Sequence, residues 1–327
     1  MHLFIEESFL IKFENGYNIE NPSIGRNCIH KILTEYTRVR IYFDKLNVFQ
    51  QLDSKYLRIF LGNNPTLNEI GDFDSFFDSV DNLPNQTIVL CIESTKIKEK
   101  IQRLGGLCFD YETFETSIKS IIDNLHFKFS FADTEQRFSW SYLSNSNLIP
   151  IKTIVIDDPY ILKNQTGGLM KENLIPLLKN LLKDQKVKPS LTIFSNVIQK
   201  QQEKGLSEVE TVKSRYSILE SELKSYLTSI CIAKSKMDQS IFEQHDRYLY
   251  TPFTITSVGI GFNIFPIVGK KNSKIEQLTI FDKFSYNEMK NHFEGLKEKY
   301  DKLANNNYHE TLLKIYPSSD KLKLYMD

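Results

Sequence analysis

The 327-residue chain is expected to fold as an α/β protein, on three observations. Short β-branched and aromatic runs alternate with amphipathic stretches. In the second half the order is strand, helix, strand, helix, strand, which calls for crossovers and a parallel sheet core. A polar break, Ser144-Asn-Ser-Asn-Leu-Ile-Pro150, separates that half from what precedes it. The expectation is an N-terminal mixed α/β domain over residues 1–145, for recognition or complex formation, and a second α/β domain over 146–327.

Along the first part, Tyr36–Phe43 alternates β-branched and aromatic residues and reads as a strand. Leu57–Leu61 and Thr87–Glu93 are further apolar strand candidates. Asn64-Pro65 opens an expected helix near Thr66–Val80, and Gly105-Gly106 closes another near Ser94–Leu104. Glu112–Leu125 reads as a helix. His126-Phe-Lys-Phe-Ser-Phe131 alternates strictly, as a half-buried strand does.

After the break, Ile151–Ile156, Ser190–Val197 and Thr228–Ala233 are strands. Leu169–Leu182 carries apolar residues at helical spacing. Ser207-x-x-Glu210 is a capping box opening a helix whose stripe is Val209, Val212, Tyr216, Leu219 and Leu223. Tyr248–Thr256 and Val258–Pro266 read as a hairpin-like pair. Ser285-x-x-Glu288 is a second capping box, with Met289, Phe293, Leu296, Tyr300 and Leu303 on one face. That face suits packing on its own domain or on a partner helix. Leu312–Ile315 and Lys321–Met326 would close the fold as edge elements.

Composition narrows the function classes. Lys+Arg and Asp+Glu both number 41, so the formal net charge is zero. That excludes a uniformly basic, polyanion-coating surface while leaving room for a local basic patch. A hydrophobic share of 41% and a charged share of 25% exclude global disorder. No apolar run is long enough to span a membrane, and Met1–Glu7 lacks the features of a signal peptide, so a cytoplasmic protein is expected. Cys28, Cys91, Cys108 and Cys231 form no C-x-x-C pair and read as buried, reduced thiols. His30, His126, His292 and His309 show no metal-ligand spacing. No cofactor motif is present either: Walker A, nucleophile-elbow and dinucleotide fingerprints are all missing.

Two clusters carry chemistry. Asp157-Asp158-Pro159-Tyr160 directly follows a strand, at the end where parallel α/β sheets bind ligands. His245-Asp246-Arg247 directly precedes another. A His and an Arg two apart on an extended segment point to one side. Arg supplies a permanent bidentate charge for an oxyanion, and His can attack phosphorus or move a proton near neutral pH. The downstream Gly259-Ile-Gly261-Phe-Asn263 allows close backbone approach.

Read in order, Ile156–Ile161, Asn173–Leu178, Leu191–Ser195, His245-Asp-Arg247 and Gly259–Phe265 resemble the phospholipase D-like C-terminal domain of MIT (microtubule-interacting and trafficking) proteins and its bacterial relatives, over about residues 150–270. The resemblance implies a phospholipase D-like α/β sandwich. It implies His245 as nucleophile and Arg247 as holder of the non-bridging oxygens, with Asp158, Tyr160, Ser257 and Asn263 binding or orienting phosphate. No metal or other cofactor is called for. This chain departs from the wider superfamily motif, with Arg247 in the Lys position and Pro252 where an Asp is expected. One motif per chain implies a homodimer, or a subunit of a larger complex, to supply a second His.

Three roles stay open for His245: structural, phosphate recognition without turnover, and nucleophilic catalysis. Asp158 either caps its turn or orients His245. Tyr160 is core or ligand contact. Arg38, Arg40 and the Lys270–Lys274 loop could add basic support. The leading function is phosphodiester recognition on nucleic acid, as a nuclease or binding component, with bacterial anti-phage defence suggested by the relatives. The alternative is a non-catalytic adaptor that binds a partner protein or anionic lipid. With zero net charge, nucleic-acid binding by the single chain should use few phosphate contacts.

Overall fold

The computed structural model describes residues 1–16, 20–45, 56, 58–59, 62, 67–93, 97–131, 139–162, 170–197, 208–236, 247–259, 261–265, 274–304 and 314–316. Two sheets organise them into an α/β fold. The first contains β1 (His2–Ile5), β2 (Arg40–Phe43), β3 (Leu67–Glu69), β4 (Thr87–Cys91) and β5 (Leu107–Asp110), in the order β3-β2-β1-β4-β5. Every pairing in it is parallel. Its helices are α1 (Glu7–Asn15), α2 (Ile24–Thr34), α3 (Phe73–Ser79), α4 (Lys98–Arg103) and α5 (Phe114–Leu125).

The second sheet contains β6 (Phe127–Ser130), β7 (Thr153–Asp157), β8 (Ser190–Val197), β9 (Ser229–Lys236), β10 (Arg247–Tyr250), β11 (Thr254–Val258), β12 (Lys274–Thr279) and β13 (Lys314–Tyr316). Their order is β13-β9-β8-β7-β10-β11-β12-β6. As expected, β7, β8 and β9 are parallel neighbours. The helices between them are α6 (Ile175–Leu182), entered through a wide π turn at Met170–Leu174, and α7 (Glu208–Leu223). From β10 onward the neighbours are antiparallel. A 3-10 segment, Trp140–Leu148, precedes β7, and α8 (Lys283–Ala304) follows β12.

Strand alternation explains how two sheets share one interior. Leu3 and Ile5 enter one apolar cluster while Phe4, between them, enters another with α3 and α4. In the second sheet Val155 joins the cluster of Leu3 and Ile5, whereas Ile154 and Ile156 face α6 and α7. One continuous core therefore takes a face from each sheet, together with residues of α1, α2, α5 and α8. Met289, Phe293 and Leu296 of the expected stripe are buried in it with Tyr286, so this part of the α8 face packs on its own chain. The hydroxyl of buried Tyr36 donates to the carbonyl of Ile280 (2.7 Å), and its ring stacks on Tyr286.

Several expectations are corrected. The strand β6 lies ahead of the 144–150 break yet pairs with β12, so the change from first to second sheet falls between β5 and β6. The elements β1, α1 and α2 were not among those expected. Within Leu57–Leu61, the two described residues, Arg58 and Ile59, are helical rather than extended; a short apolar run does not separate the two states by periodicity. The helix expected from Asn64-Pro65 starts later, at Phe73, because Asp72 caps it by accepting from the Ser75 N–H (2.8 Å). Likewise Asp282, not Ser285, caps α8, accepting from the Ser285 N–H (2.8 Å).

The hairpin is tighter than expected. β10 and β11 both lie within Tyr248–Thr256 and its flanks, because Thr251-Pro252-Phe253 turns the chain. The Thr251 hydroxyl accepts from the Thr254 N–H (3.1 Å) and so closes that turn. Ser207, Lys321–Met326 and His309 lie outside the described residues. Of the thiols, burial pushes Cys28 up to about 11 and Cys231 up to about 12. No described helix is long and apolar enough to cross a membrane.

Candidate anion site at the end of strand β7

The central strand β7 has a parallel neighbour on one side and an antiparallel one on the other. Its exit therefore meets the start of β10. Tyr248 pairs with Asp157 and with Ser257, so the next position along β10, Arg247, faces Asp158. This register divides the expected site residues between the two faces of the sheet. Asp158 and Arg247 share one face. Ser257 pairs with Tyr248, one step out of phase with Arg247, and belongs to the opposite face.

Asp158 is 1% exposed. Its Oδ1 accepts from the Tyr160 N–H (2.8 Å), closing an Asx turn, and its Oδ2 accepts from the Phe262 N–H (2.8 Å). Burial pushes the carboxyl above its usual range, against the pull of those two N–H groups and of the Arg247 charge. Asp158 thus caps its turn and also anchors the 258–265 loop. Gly261 meets it at φ +85°, and a Cβ there would lie 2.8 Å from Asp158 Oδ2. Here glycine is required twice over, by backbone conformation and by space.

Arg247 donates from Nη1 to the carbonyl of Gly259 (2.7 Å), and its guanidinium lies 5.3 Å from the Tyr160 ring centroid. Asn263 donates from Nδ2 to the Tyr160 carbonyl (2.9 Å). Asp158, Tyr160, Arg247 and Asn263 therefore form one constellation. Its far end is fixed by Asn173, wholly buried in the π turn. Asn173 accepts from the Phe265 N–H (2.6 Å) and donates to the Phe265 carbonyl (3.0 Å). Asn173 was not among the expected site residues. The available signal was weak: an amide at the start of the apolar run Leu174–Leu178, beside the charged pair Lys171-Glu172.

His245 and Asp246 lie outside the described residues, as do residues 266–273 of the Lys-rich loop. Arg38 and Arg40 sit with the first sheet, away from this constellation, and Arg38 is ion-paired with Glu294 of α8. On the opposite face of the second sheet, the hydroxyl of Tyr250 bonds His292 Nδ1 (2.7 Å), and Tyr248 meets the same imidazole edge-on. Burial, followed by the negative charge of Asp157, holds the Tyr250 hydroxyl well above its ordinary range. Among the described residues no group of His, Cys, Asp and Glu is placed to hold a metal ion.

Comparison with protein-family models finds none that matches the chain, and comparison with curated proteins finds no match.

Proposed function

We propose that the chain recognises phosphodiesters of nucleic acid through an anion site centred on Arg247. The observation that carries this reading is the mounting of that side chain. Its guanidinium is tied to the Gly259 carbonyl and laid over Tyr160 at the C-terminal end of β7. A permanent cation already held in place gives up little freedom on meeting a phosphate, and its planar fork matches two phosphate oxygens. The resemblance of His245-Asp246-Arg247 to phospholipase D-like domains supports the same ligand class. In that reading His245 is the nucleophile of a metal-independent phosphodiesterase, and a homodimer supplies the second His as acid. A role in bacterial anti-phage defence is part of this reading, drawn from the setting in which bacterial relatives of such domains occur.

The test is fluorescence anisotropy with DNA and RNA oligonucleotides on wild type, His245→Ala and Arg247→Ala, alongside a cleavage assay in EDTA. Recognition requires binding that Arg247→Ala weakens. Catalysis further requires cleavage in EDTA that His245→Ala abolishes. Absence of binding to any oligonucleotide overturns the proposal.

A second reading, a non-catalytic adaptor for a partner protein or anionic lipid, draws on Asp158. Its carboxylate is committed to two backbone N–H groups, and Pro252 occupies the acidic position of the superfamily motif at a tight turn. Intact oligonucleotides after incubation with wild type, with His245→Ala equal to wild type in every assay, would favour it.

A further inference from the structure

We infer that Tyr160 is a stacking platform for an unpaired nucleobase, so that the site takes single-stranded rather than duplex nucleic acid. The inference rests on the reading of Arg247 as a phosphate ligand.

Tyr160 is exposed (39%) in the middle of a buried segment. Asp157, Asp158 and Pro159 before it and Ile161 and Leu162 after it are all buried. Its backbone is fixed at both ends. The N–H donates to Asp158 Oδ1 (2.8 Å), and the carbonyl accepts from Asn263 Nδ2 (2.9 Å). The Asp158 end is itself locked, because that carboxylate also holds the Phe262 N–H. The ring is therefore presented to solvent from a rigid mount. Placing an aromatic surface in water forgoes its burial energy, while the fixed backbone beneath it sets where the ring can stand.

The guanidinium of Arg247 lies over one face of the ring, 5.3 Å from its centroid, which leaves the other face for a base. A flat apolar face next to a fixed cation reproduces the pairing that a nucleotide offers, a base beside a phosphate. In a duplex both faces of each interior base are covered by its neighbours. A base reaches a protein ring only from a single strand or from a frayed or flipped position.

The test measures full-length protein by anisotropy with three probes of equal length: a single-stranded oligonucleotide, the same strand with abasic residues, and a blunt duplex. Wild type, Tyr160→Phe, Tyr160→Ala and Arg247→Ala are compared, with thermal melting to confirm that each is folded. The expected result is single-strand binding about tenfold tighter than abasic-strand binding, from one stacked base. Tyr160→Ala should lose that margin and Tyr160→Phe should keep it, while Arg247→Ala weakens both strands alike. The inference is overturned if folded Tyr160→Ala binds the single strand as wild type does, or if the abasic strand or duplex binds as tightly as the single strand. Loss of the Tyr160 effect with the Arg247 effect intact defeats stacking alone. Failure of every probe to bind defeats the phosphodiester reading as well.

Discussion

Gly261 and Asp158 meet with no room for a methyl group between them. A Cβ on Gly261 would lie 2.8 Å from Asp158 Oδ2. The carboxylate cannot swing aside without releasing the N–H groups of Tyr160 and Phe262. Gly261→Ala should therefore destabilise the protein by about 2 kcal/mol, combining left-handed strain with the displaced carboxylate. Urea unfolding measures the loss, and a variant as stable as wild type would refute the contact.

Asn173 closes the other end of the same loop through two bonds to the Phe265 backbone. Asn173→Leu keeps the volume and leaves both backbone groups without that partner. The expected cost is about 2 kcal/mol in urea unfolding, since buried orphaned polar groups keep their desolvation penalty.

Arg247 also predicts a salt dependence. A protein with zero formal charge and one mounted Arg should bind a single strand with a shallow slope of log K against log salt. Removing one phosphate contact changes that slope by about 0.7. Arg247→Ala should therefore flatten the titration by roughly that amount. An unchanged slope would remove Arg247 from the phosphate contacts.

His126 ties the end of α5 to β12 and sets an acid limit on stability. The Thr279 N–H donates to His126 Nε2 (2.9 Å), so that nitrogen is an acceptor and the imidazole is neutral. Burial lowers its pKa below the ordinary value, opposed by the charge of Asp282. As pH falls through about 6.5 the unfolded chain takes up the proton first, so stability is present above that pH and declines below it. Urea midpoints should fall between about pH 7.5 and 5.5 in wild type and fall less in His126→Gln. Equal slopes would exclude His126 as a contributor.

The legible part of the fold is the part written in neighbouring residues. The β-branched runs at Ile151–Ile156 and Ser190–Val197 and the apolar spacing of Leu177, Leu178, Leu181 and Leu182 were enough for the parallel core. Capping was read at the wrong residue because Ser285-x-x-Glu288 satisfies the box pattern, while Asp282, one turn earlier, holds the N–H. The partner of β6 was not readable, since pairing with β12 depends on how the two sheets pack rather than on alternation within Phe127–Ser130. At the candidate site Asp158, Tyr160, Arg247 and Asn263 were named from local chemistry together with the resemblance, and they lie in contact. Ser257 was placed with them because sequence order does not reveal register, and a single step of register moved it to the other face.

The junction of β7 with an antiparallel β10 has a consequence for how this chain can vary. Asp158 and Arg247 are brought together by one register, not by the length of the polypeptide that separates them. Everything between, including β8, α7 and β9, leaves the end of β7 and returns to that same end. Insertions or deletions along that stretch would therefore leave the register that joins the two anchor points untouched. Such an arrangement lets ligand preference be rebuilt along the chain on an unchanged frame.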